Sequence, residues 1–238
     1  MGSDEVTREN NSLSAYHGHM WTQRPWQVLR SQPIAVQVIW AVLLVECCVA
    51  LWERQWPLAG VAAATFLLTL LPLLLVNRMG IRLPTAFLVG ITFFVFATIF
   101  LGEAFDFYNR YWWWDMVLHG GSAMAFGLLG FLFVFMLFEG DRYAAPAWAL
   151  ALIAFSFAVT IGALWEVFEF GMDQLFGMNM QKSGLMDTMF DLIVDVIGAS
   201  VGALAGYLYL TGRNMGGFTG VLHDFVDRNR KHFGKRDR

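Results

Sequence analysis

The chain has 238 residues, of which 57% are hydrophobic and 15% charged, with a formal net charge of −3. Its mean hydropathy is +0.52, whereas soluble domains carry roughly 25% charged residues. A soluble domain of this size would lack the charge to cover its surface. The composition therefore excludes a secreted disulfide scaffold, a disordered chain and a nucleic-acid binder. It points instead to an all-α, polytopic membrane helical bundle.

Residues 1–33 read as a polar N-terminal tail without the apolar core of a signal peptide. Six apolar segments follow, at about 34–52, 57–76, 84–102, 116–138, 147–172 and 187–210. Each is long enough to cross a hydrocarbon layer of about 30 Å. Helix is the form that satisfies their backbone groups in lipid. They define a six-helix transmembrane domain over 34–210, followed by a basic C-terminal tail over 211–238. Pro57, Pro84 and Pro146 stand near the starts of three of the segments, where a missing N–H is tolerated. Cys47 and Cys48 are adjacent within the first segment and cannot build a disulfide framework; they read as small hydrophobes.

Six spans put both termini on one side. Arg8, Arg24, Arg30, Arg78, Arg82, Arg142 and the Lys and Arg residues of the C-terminal tail fall there, whereas the other side holds Arg54, Arg110 and Lys182. The excess of basic residues predicts cytoplasmic termini and places the Tyr111–Trp114 aromatic run at the outer interface. The small net charge conceals an excess of base inside and of acid outside.

Much of that acid lies on three helix faces. Asp115 and His119 are spaced i, i+4 at the start of the fourth span; Glu166, Glu169 and Asp173 are spaced i, i+3, i+7 at the end of the fifth; Asp187, Asp191 and Asp195 are spaced i, i+4, i+8 at the start of the sixth. At 1.5 Å per residue, Asp195 is about 12 Å below Asp187 and Glu166 about 10 Å below Asp173. Glu46 in the first span lies at comparable depth. Intramembrane charges cost at least about 2.5 kcal/mol each and should face the bundle interior with partners. His119 is the basic group at matching depth, so either some carboxyls share protons or a cation sits among them. Carboxylates with one imidazole suit Zn²⁺, Mn²⁺ or iron, and carboxylates alone suit Mg²⁺ or Ca²⁺. On this reading His119, Glu166, Glu169, Asp191 and Asp195 are the candidate ligands, with Glu166 and Glu169 also candidate general bases. Asp115, Asp173, Asp187 and Glu46 support them from behind, with Asp115 orienting His119. Gly198, Gly202 and Gly206, spaced four apart below the acids, predict close helix packing.

The order Trp-Asp-x-x-x-His, Trp-Glu-x-x-Glu-x-x-x-Asp, Asn-Met-Gln, Asp-Thr-x-x-Asp-x-x-x-Asp-x-x-Gly resembles the YjdF-type bacterial inner-membrane proteins, a family of unknown function, over roughly residues 34–210. It is also distantly similar to the VanZ-like proteins associated with teicoplanin resistance. Asp195 stands here where their pattern has Asn, and Lys182 is the nearest basic residue to their Arg. The resemblance implies a bacterial inner (plasma) membrane location. Three functions fit the acidic, His-containing pocket: metal-assisted hydrolysis or transfer on a lipid-linked or envelope substrate, cation or proton transport, and a non-catalytic membrane subunit held together by a metal or by shared protons. The expected partner is the lipid bilayer, with no nucleic acid.

Overall fold

The computed structural model describes residues 30–138, 145–213 and 216–233. The polar tail up to residue 29, the loop containing Arg142 and the final residues of the basic tail lie outside the described residues. The spans are α1 (Ile34–Trp52), α2 (Trp56–Met79), α3 (Thr85–Val95) continued by a π-helical segment (Phe96–Ala104), α5 (Trp114–Leu137), α6 (Ala147–Phe176) and α7 (Leu185–Leu210). A single-turn α4 (Phe107–Arg110) precedes α5, and α8 (Gly217–Arg228) follows α7. Among the described residues, six helical stretches are long and apolar enough to cross a membrane, so the protein is an all-α multi-pass bundle.

Sequence chemistry sets the helix starts. Pro33, Pro84 and Pro146 occupy the positions immediately before α1, α3 and α6. Their fixed φ leads into a helix, and their missing N–H removes one donor that the first turn could not pair. Outward positions are as apolar as inward ones: Val38, Phe93, Leu152 and Ile193 are all exposed on the bundle surface. That pattern destabilises a protein in water and is the expected face of a helix in hydrocarbon. Cys47 packs beside Leu43 and Phe100, whereas Cys48 is exposed.

α5, α6 and α7 pack most extensively on one another. The approach of α7 to α5 depends on its small residues. A Cβ at Gly198 would run into the backbone carbonyl of Gly120, and one at Gly202 into that of Met124. Close backbone approach of this kind supplies the dispersion contact that drives helix association where lipid removes the hydrophobic difference. α1, α2, α3 and the π-helical segment form a second group with its own cores around Leu43 and Phe100 and around Val36 and Trp40.

The segment read from composition as a basic tail contains a packed helix. α8 carries Phe218, Val221, Leu222, Phe225 and Val226 into the apolar core formed with Phe131, Phe135 and Tyr209. Beyond it Asn229 is fully buried: it accepts from the Arg82 backbone N–H at 2.7 Å and donates to the Arg82 carbonyl at 2.8 Å. The helix repeat of these apolar residues outweighs the basic charges around them. The bundle is thus polarised, with an aromatic core closed by α8 at one end and the acids at the other.

Candidate functional site

The acidic end is built where two helices begin and one ends. α5 and α7 present their N-termini, whose exposed N–H groups favour Asp115 and Asp187 in the first turns. α6 runs the other way and brings Glu166, Glu169 and Asp173 on its last turns. His119 (7% exposed), Glu166 (4%), Glu169 (7%), Asp191 (2%) and Asp195 (1%) are buried between the three helices.

His119 is the hub. Its Nδ1 lies 3.4 Å from Asp195 Oδ2, and its Nε2 lies 3.8 Å from both Asp115 Oδ1 and Glu166 Oε1. One imidazole therefore touches a carboxylate from each of α5, α6 and α7. Gly162 makes this possible on α6, because a Cβ there would collide with the Asp195 carboxylate. Glu169 accepts a hydrogen bond from the Trp165 indole at 2.9 Å.

The donor atoms fall into two triads. His119, Glu166 and Glu169 offer ligand atoms within 4.8 Å of one another, and so do Asp115, Asp187 and Asp191. The triads meet at the imidazole, through its 3.8 Å approach to Asp115. Asp195 stands on the far ring nitrogen, in the position that orients an imidazole, whereas Asp115 faces the second triad. This partition depends on which ring nitrogen faces which carboxylate, and helical spacing does not reveal that. Glu46 is half-buried on α1, which packs mainly on α2 and α3, and it belongs to neither triad.

Asp173 and Asp187 also order the loop across the site. Asp173 accepts from the backbone N–H groups of Met180 and Gln181, and Asp187 from that of Lys182 at 3.1 Å. The loop begins at Gly177, whose φ of 66° ends α6 in the left-handed conformation that glycine adopts without strain. So tethered, it places Lys182 inward, its Nζ 4.4 Å from the centre of the Tyr108 ring. Tyr108 in turn packs directly on Gly102 of the π-helical segment. Burial raises the pKa of the Tyr108 phenol well above its usual range, with the charges of Asp115, Glu103 and Glu169 adding to the effect, so it stays neutral.

Buried polar atoms without a hydrogen-bond partner cluster here. Among the described residues they are Thr92 Oγ1, Trp114 Nε1, Lys182 Nζ and both carboxylate oxygens of Glu166. The Thr188 hydroxyl approaches Glu166 without reaching hydrogen-bond geometry. It accepts instead from the Gln181 side-chain amide at 2.6 Å. All of these atoms except Thr92 Oγ1 lie at the acidic end. A cavity of about 520 Å³ opens beside them, lined by His119, Asp115, Glu169 and Lys182 and extending along the π-helical segment.

Residues 34–212 match the family model described as "Predicted membrane protein (DUF2238)". The chain belongs to this family. The DUF2238 match takes in all six spans and the whole acidic site, and ends before α8. The YjdF-type resemblance is consistent with it. A curated relative from Thermotoga maritima, described as an uncharacterized protein, is 32% identical over 119 residues, covering 50% of this chain and 60% of that relative. No solved structure matches the chain.

Proposed function

We propose that this DUF2238 protein holds one or two divalent cations in its intramembrane carboxylate–histidine cluster, at the outer face of a bacterial inner membrane with both termini cytoplasmic. The observation that carries the reading is Glu166. A carboxylate 4% exposed, with neither oxygen hydrogen-bonded, costs several kcal/mol unless something compensates its charge. His119 alone, shared among three carboxylates, does not provide that compensation. A cation between His119, Glu166 and Glu169 does, and a second between Asp115, Asp187 and Asp191 would complete the balance. The predominance of oxygen donors favours Mn²⁺, Fe²⁺ or Mg²⁺, and the imidazole keeps Zn²⁺ in contention.

Asp195, on His119 Nδ1, fixes the ring so that Nε2 points toward the cation, as carboxylates behind ligating imidazoles do. A divalent ion in such a site supplies Lewis acidity and a bound water of lowered pKa, the chemistry for hydrolysis or group transfer on a lipid-linked or envelope substrate. Glu169 lines the cavity, as do Asp115 and Asp195. Away from the site, the packing of α5 on α7 closes at Gly198 and Gly202 and then fills with Phe131, Phe135 and Tyr209. That supports a blind pocket over a conduction path for ions or protons.

Titration of the purified protein with Mn²⁺, followed by electron paramagnetic resonance, tests this. Wild type is expected to bind Mn²⁺ with one or two sites per chain. Glu169→Gln should weaken the first site by about 10–100-fold, and Asp191→Asn should weaken the second to a similar extent. Binding indifferent to both substitutions would place any bound ion elsewhere.

A further inference from the structure

The cavity extends beyond the acids. From the loop at Met180 and Lys182 it passes the charged cluster and continues between the π-helical segment, α5 and α6, where Phe94, Ile99, Leu118, Phe126 and Ile161 line it. Phe94 lies ten residues before Ala104 and so deeper in the span. Phe94 and Trp165 line the cleft and are exposed by 36% and 44%. The space thus has a charged head and an apolar tail.

The head contains an unused cation. Lys182 Nζ is buried, pairs with no carboxylate among the described residues and has no hydrogen-bond donor role filled. It is held by its own backbone bond to Asp187 and by the face of Tyr108. An ammonium placed beside a cleft rich in carboxylates yet bonded to none of them is placed for a ligand that also carries negative charge.

We propose that the cavity binds a phosphate-headed amphiphile, with the phosphate between Lys182 Nζ and the cation site and the hydrocarbon chain in the apolar cleft. The proposal rests on the cation reading, because an uncompensated cluster of carboxylates would repel a phosphate. The ion and Lys182 together offset part of that negative charge and set cationic centres beside the headgroup space. Oxygens of a phosphate can bridge a hard cation and an ammonium at once, and the tail gains what apolar surface gains on leaving water.

Calorimetric titration of the full chain, loaded with Mn²⁺ in a neutral maltoside detergent, tests the proposal with dodecyl phosphate as probe. Dodecyl phosphate should bind at least about 100-fold more tightly than inorganic phosphate, because only it fills the cleft. It should also bind more tightly than dodecyltrimethylammonium. Lys182→Met should weaken it by about tenfold or more while Lys182→Arg largely restores it. Ile161→Trp, which fills the cleft, should weaken dodecyl phosphate and leave inorganic phosphate unchanged. Bound Mn²⁺ is counted in every sample, so a variant that fails to fold is recognised by its loss. Bound Mn²⁺ with dodecyl phosphate binding indifferent to Lys182→Met, or no tighter than the ammonium probe, overturns this proposal alone. Absence of bound Mn²⁺ in wild type overturns the cation reading and this one with it.

Discussion

Gly198→Ala is expected to destabilise the bundle by about 1–3 kcal/mol, and Gly198→Leu to prevent its assembly. The added Cβ meets the Gly120 carbonyl oxygen, with the Gly120 carbonyl carbon at 3.0 Å and the Met124 nitrogen at 3.1 Å. These are backbone atoms of the facing helix and cannot rotate away as a side chain would. α7 must therefore move off α5 at the level where Asp195 meets His119, one turn away. The Ala variant should lose cation affinity along with stability. Gly121→Ala is the control: it adds the same methyl group on α5 beside Gly120, with nothing within 4 Å. Thermal unfolding in detergent, read by size-exclusion fluorescence, checks the pair. A Gly198→Leu protein that melts with wild type would show that the close helix contact is not what holds the site.

Removing the cation is the second large effect. A ligand present at about 100 times its dissociation constant stabilises the folded state by about 2.7 kcal/mol. In a chain of this size that corresponds to a loss of roughly 5–10 °C in melting temperature when a chelator strips the site. Glu166→Gln should remove part of the chelator effect. It replaces the orphaned carboxylate by a neutral group, so the part of the chelator effect that comes from the His119, Glu166 and Glu169 site should disappear. Without a cation the expectation reverses: the chelator does nothing to wild type, and Glu166→Gln stabilises the protein by removing a buried unpaired charge.

The spans and the three acidic faces were legible in the sequence for physical reasons. The bilayer imposes one length on every crossing, and the helix repeat puts residues four apart on one face, so Asp187, Asp191 and Asp195 could be aligned without coordinates. Gly198 and Gly202 were legible as packing residues for the same reason. Other features carry no such period. The π-helical segment Phe96–Ala104 is mostly apolar, with Thr98 and Glu103 among its residues, and nothing in its sequence distinguishes it from continued α-helix. Its junction with α4 places Tyr108 under Lys182, a contact no spacing announces. Which nitrogen of His119 faces Asp115 and which faces Asp195 depends on ring orientation, which no spacing reveals. Glu46 shows the opposite limit: matching depth on a helix does not bring a residue to the site when that helix packs elsewhere. α8 did carry a signal, in the spacing of Phe218, Leu222 and Phe225, which the surrounding basic residues obscured.

Elemental analysis of the detergent-purified protein tests the central claim most directly, comparing wild type with His119→Ala and Asp191→Asn. The account predicts one or two equivalents of a divalent metal in wild type. His119→Ala should lose the ion of the His119, Glu166 and Glu169 triad, and Asp191→Asn that of the Asp115, Asp187 and Asp191 triad, with both variants still eluting as folded protein. Folded wild-type protein without stoichiometric metal, even after incubation with Mn²⁺, Zn²⁺, Fe²⁺ and Mg²⁺, would contradict it and leave proton sharing to explain the buried carboxylates.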